Sequence, residues 1–432
     1  MTISPIKGTL AGRTLYVPRL SIDGASAFAA AFRSIGYNAQ MVPESDNKTN
    51  ELARKYTIGE ECYPQIITLG SFLKVIEDSN FEPQKTAFMM ATTGGPCRFG
   101  QYNVLLAKIL EEKGIEDVLV VSPSSATGYD DISEKADNLH RTCWWAIVCS
   151  DIIRKLLLQT RPYEINEGDT DKVHEESINL ICGIIEKQNQ KIKEKYNELV
   201  NGIKQILQKF NEIPADFTRT KPLIGVVGEI YCRLDSFANA ELIRRIEKFG
   251  GEVWLASISE WVWYSNFYQQ QDLRMKGEGI SLEMLGTLIK NKFQAKDEHK
   301  LYSQVHKRFE GYEEPENIKS YLNLAEPYLP YWGVIGEMVL NIGGAIYYHS
   351  KGADGIIDIS PFTCMNGIVS EAIYPNVSAD HEEIPIKIFY FDETESDYDR
   401  DVEIFLELAS TYRKRKTKER VYPSFFKKLP TP

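Results

Sequence analysis

The residues best suited to chemistry in this 432-residue sequence are seven cysteines, at positions 62, 97, 143, 149, 182, 232 and 364. None stands in CxxC spacing, so the local zinc-finger and thioredoxin signatures are absent. What remains is scattered core thiols, or ligands gathered by the fold around one site. Five of the seven fall at edges between elements. Cys97 sits in GGPCRFGQY, between the apolar run TAFMMATT and the helix-like QYNVLLAKILEEKG. Cys62 in EECYP and Cys364 in SPFTCMNG carry similar turn residues, Cys232 follows IGVVGEIY, and Cys143 opens a helix after NLHRT. A thiol at the mouth of a helix faces backbone N–H groups and the positive end of the dipole, both of which favour thiolate. Glycine lets the backbone approach a ligand closely, and successive N–H groups in such turns cradle anionic clusters. Cys149 lies six residues past Cys143, roughly 9 Å along a helix axis, so both would serve one cluster only if the first helical turn is loose. Cys182, in INLICGII, continues an apolar stripe and reads as a packed thiol.

Other catalytic signatures are missing. There is no GxxxxGK[ST] phosphate loop, GVVGEI fails the GxGxxG spacing, and neither a GxSxG elbow nor an HExxH pair occurs. A cysteine nucleophile needs a base, and no residue presents itself as one. Thiolate ligation of iron–sulfur is the chemistry left. Arg98 and Arg233, each directly after a cysteine, would either offset cluster charge or simply face the surface.

The elements that must position these thiols alternate in period. TLYVP, YNAQMVP, KTAFMMA and VLVVS read as strands, each followed by an amphipathic helical stretch. The second half resumes with PLIGVVGEIY, EVWLA, DGIIDIS and IPIKIFYF. Such βα alternation predicts parallel sheets covered by helices, here two flavodoxin-like α/β lobes. The expected boundaries are a first lobe over 1–163, a helical bridge over 164–220, and a second lobe over 221–415. A helical insertion at about 270–350 interrupts the second lobe, and a basic tail is expected over 416–432, with the basic run RKRKTKER (413–420) straddling its start. In open α/β sheets ligands bind at the carboxyl ends of the strands, where Cys97, Cys232 and Cys364 fall. The formal net charge of −11 argues against nucleic acid as the main partner. No run approaches the length of a membrane helix, and MTISPIKGTLAGR lacks a signal-peptide core. The expected compartment is the cytoplasm, where disulfides are rare.

The longer stretches KYTIGEECYPQIITLGSFLK, MATTGGPCRFGQYN, RPYEINEGDTD, GVVGEIYCRLDSFANAELIRRIEKFGGEVWLA and GADGIIDISPFTCMNGIVSEAI resemble the 2-hydroxyacyl-CoA dehydratase superfamily. Within it they are most similar to the double-cubane cluster proteins and to the C-terminal part of long activase-related proteins, over about residues 12 to 405. The resemblance implies an iron–sulfur protein charged at very low potential by a separate ATP-hydrolysing iron–sulfur activase. Dehydratases of this kind hold one [4Fe–4S] cluster through three cysteines, and Cys62, Cys97 and Cys364 match the shared motifs. Double-cubane proteins hold an [8Fe–9S] unit through six and reduce small molecules. Here Cys143, Cys149 and Cys232 supply three further thiols, so the resemblance favours the double cubane, with Cys182 left out. Glu60, Glu61 and Glu229, beside ligand cysteines, are the candidate proton donors. The partners implied are the activase, a small-molecule substrate and a second copy in a homodimer. The alternatives are a dehydratase subunit with a single cubane and a non-catalytic electron relay.

Overall fold

The computed structural model describes residues 10–124, 138–315, 317–331, 333, 336–394 and 396–426. The chain runs β1 (Thr14–Val17), α1 (Ile22–Arg33), β2 (Asn38–Met41), α2 (Asn47–Ala53), α3 (Tyr63–Ile76), β3 (Thr86–Met89), α4 (Tyr102–Glu112) and β4 (Leu119–Val121). Three long helices follow: α5 (Leu139–Thr160), α6 (Asp169–Ile185) and α7 (Ile192–Glu212). Then come β5 (Leu223–Gly228), α8 (Ile230–Leu234), α9 (Leu242–Lys248), β6 (Glu252–Leu255), α10 (Ser259–Met275), α11 (Leu282–Tyr302), α12 (Lys319–Ala325) and α13 (Met338–Ser350). The chain closes with β7 (Gly355–Pro361), α14 (Met365–Asp380), β8 (Ile386–Phe391) and α15 (Tyr398–Arg415).

The strands form two four-stranded, all-parallel sheets, ordered β2-β1-β3-β4 and β6-β5-β7-β8. Both are flanked by helices, as the alternation predicts, and both reverse direction of winding between their two central strands. The central strands are apolar on both faces because both faces are covered. Every residue of β3, β5 and β7 is buried. Local signals agree with the helix starts. Ser21 caps α1 by accepting from the Gly24 N–H, Asp46 and Thr49 form a reciprocal capping box at α2, and Asp397 caps α15.

Contacts divide the chain into two compact units, each assembled from three segments. The first takes Met1–Ser150, Ile178–Gly202 and Trp261–Leu301; the second takes Asp151–Ser177, Ile203–Glu260 and Tyr302–Pro432. In the first unit Phe72 packs on Phe88 of β3 at 4.5 Å between ring centroids. Trp144 and Trp145 of α5 are fully buried there, their indoles donating to Gln294 O and to Asp297 of α11 at 3.1 and 2.7 Å. In the second unit Trp254 of β6 packs on Tyr348 of α13 at 4.7 Å. Helix α13 lies within the stretch read as an insertion, yet it covers β5 and β7 as an integral layer of the second sheet.

Three local details differ from expectation. The long helical stretch after residue 164 breaks into α6 and α7. Helix α4 is preceded by a 3-10 turn, Arg98–Gln101. Helix α5 begins at Leu139, so Cys143 lies inside it and not at its start.

Candidate functional site

Cys62, Cys97 and Cys364 occupy the same local geometry. Each is the residue immediately before a helical turn: Cys62 before α3, Cys97 before the 3-10 turn leading into α4, and Cys364 before α14. Their backbone angles are φ −64°, ψ 134° at Cys62; φ −67°, ψ 131° at Cys97; and φ −68°, ψ 127° at Cys364. None makes a side-chain capping bond, and all three are half-buried. A left-handed residue lies just upstream in each case: Gly59 (φ 89°), Gly95 (φ 83°) and Thr363 (φ 62°). Thr363 adopts this conformation without glycine's freedom, a cost of about 1–3 kcal/mol that clusters at functional turns.

In the first unit the guanidinium of Arg98 donates to the Glu60 carbonyl at 2.8 Å, tying the turn that carries Cys97 to the segment that carries Cys62. The Glu61 carboxylate accepts from the N–H groups of Ile58 and Gly59, both at 3.0 Å, and so braces its own loop. Glu60 is exposed. Arg98 thus positions a turn, in addition to the charge role its sequence neighbour suggests.

In the second unit both central strands end in cysteine-bearing turns. After β5, Glu229 accepts from the Cys232 N–H at 2.8 Å, and its own N–H donates to Ile359 O at 2.8 Å, fastening the turn to β7. Glu337 accepts from the Ile230 N–H at 2.7 Å and from the Asn366 amide at 3.4 Å. The Asn366 amide also points at the Cys364 sulfur, 3.8 Å away. Behind these groups Asp358 of β7 accepts from Tyr374 at 2.6 Å and from Asn341 at 3.2 Å. Arg233 is buried and donates to Glu260 at 2.9 Å and Ser257 O at 3.2 Å.

Burial governs the protonation of this cluster. It pushes the Cys364 thiol up to about 12, and the nearby Glu229 and Glu337 carboxylates add to the rise. Burial also raises Glu229, and it raises Glu337 well above the ordinary carboxylate range, with Glu229 a further cause. Asp358 is pushed up to about 6 by burial, against the hydrogen bond from Tyr374. A thiolate at Cys364 therefore needs a cation beside it.

The other cysteines are interior. Cys143 and Cys149 are buried in α5, and burial pushes both thiols far up. The helix is regular from Leu139, so six residues place these sulfurs about 120° apart around the axis as well as about 9 Å along it. The loose first turn that would bring them to one cluster is not there. Cys182 is buried on α6, raised to about 11 first by burial, and near enough to Cys149 to influence it. Cys232 is fully buried on α8.

The donor chemistry of Cys62, Cys97 and Cys364 is compatible with a soft metal centre, since cysteine thiolates are the ligands of iron–sulfur clusters. Cys143 and Cys149 lie along one regular helix, about 9 Å apart on its axis. Among the described residues no group of three or more His, Cys, Asp or Glu side chains converges as a metal-binding set. Reading the sequence missed Glu337, Asn341, Asp358 and Asn366. Only Asp358 left a signal, as a carboxylate within the apolar run GIIDIS.

No helix among the described residues is long and apolar enough to cross a membrane. No protein-family model matches the chain, and no curated protein matches it in sequence.

Proposed function

We propose that this chain is an iron–sulfur reductase component, charged by a separate ATP-hydrolysing iron–sulfur activase and reducing a small molecule. The observation that carries the proposal is the shared geometry of Cys62, Cys97 and Cys364, three thiols placed alike before helical turns. The resemblance, and not their mutual placement, would make those three the ligands of a [4Fe–4S] cluster. Cys62 and Cys364 stand at helix N-termini, which favours thiolate, and a bound cluster would supply positive charge to offset Glu229 and Glu337 beside Cys364. Glu337 joins Glu229 as a candidate proton carrier; Glu61, engaged by its own loop, and the exposed Glu60 are weaker ones. The six-thiolate [8Fe–9S] reading asks in addition for Cys143, Cys149 and Cys232, and the regular α5 counts against the first two.

Anaerobic purification with iron and sulfide analysis tests this. About four irons and four sulfides per chain support the three-cysteine cluster, and with it the dehydratase alternative over the reductase. About eight irons restore the double cubane. Zinc without iron ends both readings. Acetylene reduction that depends on activase and ATP then separates a reductase from an electron relay, and equal turnover without them removes the ATP-gated role.

A further inference from the structure

Strand β6 stands at the edge of the second sheet and pairs with β5 alone. Its Glu252 N–H donates to Pro222 O at 2.8 Å, and the next residue past the strand, Ala256, donates to Val226 O at 2.9 Å. In a parallel ladder alternate residues bond a given neighbour. Val253 and Leu255, in register with Ile224 and Val226, therefore turn their N–H and C=O groups away from β5. No described residue bonds them there. Shielded backbone groups of this kind call for a partner, and an open strand edge presents them in a regular row.

Val253 and Leu255 line a recess of about 370 Å³, part of it open to solvent, whose other wall is the second half of α5. Every lining residue belongs to the second unit, and none is a cysteine. Two of them, Gln159 and Trp254, are each only 2 % exposed. Gln159 Oε1 and Trp254 Nε1 are buried without a hydrogen-bond partner among the described residues. The Gln159 amide nitrogen donates to Arg308 O at 3.1 Å, which fixes the oxygen as the group left over. The recess thus holds an unmet acceptor, an unmet donor and a strand edge that offers both. Its charges cancel. Asp151 accepts from Arg154 at 3.2 Å, and Lys155 pairs with Glu314 while its ammonium lies 4.9 Å from the centre of the Trp254 ring.

We infer that this recess binds the carboxamide group of a small neutral molecule. The amide oxygen accepts from the Trp254 indole, the amide NH₂ donates to Gln159 Oε1, and the planar group lies along the N–H and C=O groups of β6. A carboxylate would leave Gln159 unmatched, and an ammonium would leave Trp254 unmatched. With two acids set against two bases, the walls hold no surplus charge to attract either ion. The enclosed part admits a group of a few heavy atoms and is too narrow for an added peptide strand. The site does not depend on the iron–sulfur reading.

Three probes of similar size and different charge test it: acetamide, acetate and methylammonium. Saturation-transfer difference NMR on the anaerobically purified full chain reads the methyl signal of each. Acetamide should bind saturably, at least about tenfold more tightly than either ion, because a site built for hydrogen bonds rejects analogues that leave its buried groups unpaired. Trp254→Phe keeps a ring beside Lys155 but loses the donor, and Gln159→Met loses the acceptor. Each should weaken acetamide binding about fivefold. Far-ultraviolet circular dichroism separates a lost fold from a lost site. The wild type gives a readout that needs no variant: acetamide, and not acetate, should slow hydrogen exchange across residues 252–256 at least about twofold. An absence of saturable acetamide binding, which leaves a recess filled by water alone, overturns the inference. So do equal binding of the three probes, undiminished binding in the folded variants, and exchange at β6 that acetamide does not change.

Discussion

Gly228→Ala is expected to be among the most damaging single-methyl additions in the second unit. Gly228 ends β5 with φ +127°, a conformation that side chains rarely adopt. A Cβ there would sit 2.1 Å from Ile359 O and 2.5 Å from Ile359 N on the neighbouring strand. Both obstacles are backbone atoms of β7, so no side chain can swing aside. The backbone strain is worth about 1–3 kcal/mol, and forced overpacking about 1–3 kcal/mol more. Parting β5 from β7 also endangers the Glu229 N–H bond to Ile359 O (2.8 Å) and the Gly228 N–H bond to Asn341 (3.1 Å), each about 0.5–1.5 kcal/mol. The total is roughly 3–9 kcal/mol if both bonds are lost, a large part of the roughly 5–15 kcal/mol that holds a typical domain. Gly36→Ala is the control: its φ is +89°, but nothing lies within 4 Å of the added Cβ, so only the conformational cost of about 1–2 kcal/mol applies. Urea unfolding followed by far-ultraviolet circular dichroism, analysed for two transitions because there are two units, measures both. Equal midpoint shifts for the two variants would refute the argument that the β5–β7 approach, and not φ alone, demands glycine.

Asp297→Ala removes the acceptor of Arg141 (2.6 and 2.8 Å) and of the Trp145 indole, and should cost about 3 kcal/mol, the low end for a broken buried pair because Arg141 is one-third exposed. Thermal unfolding checks it, against Lys85→Ala, whose exposed pair with Glu82 should matter by no more than about 0.5 kcal/mol. Burial lowers the His349 imidazole from 6.5 to about 4, helped by His381, Lys416 and Lys418 and opposed by Glu382. The unfolded chain therefore binds more protons between those values, so the neutral ring's contribution is whole above pH 6.5 and is lost as pH falls toward 4. After solvent screening the loss is on the order of 1–2 kcal/mol, and His349→Gln should flatten that part of the stability–pH curve. An unchanged slope in the variant would show that another group titrates there. Cys182→Ala should retain the iron of the wild type, whereas Cys97→Ala or Cys364→Ala should lose at least part of it; iron loss in the Cys182 variant would overturn the ligand assignment.

The two sheets were legible because buried parallel strands write themselves as short apolar runs: PLIGVVGEIY contains β5, and DGIIDIS holds all of β7 but its last residue. The turns bearing Cys62, Cys97 and Cys364 were legible for a related reason, since glycine, proline and threonine punctuate them. Cys143 was misplaced because NLHRT contains no helix-stopping residue, and the helix begins before it. Glu337 was hidden altogether. It reaches the Ile230 N–H across 107 positions of sequence, and no local pattern encodes such a pairing. The role of α13 was hidden for the same reason: its apolar character reads as helix, but which sheet face it covers is decided by tertiary packing.

The three-segment make-up of the first unit has a consequence for synthesis. Trp144 and Trp145 emerge from the ribosome early, but the groups that receive their indole N–H bonds, Gln294 and Asp297, are translated much later. The unit's last segment ends at Leu301. At about 5–20 residues per second, the first 150 residues wait roughly 8–30 s for the strand of sequence that completes their core. During that interval two large indoles and the flank of α5 lack their permanent cover, which makes the nascent chain a natural client for chaperones. It follows that a fragment ending near residue 163 or 220, although it holds a whole four-stranded sheet, should be aggregation-prone, and that supplying the 261–301 segment in trans should improve its solubility.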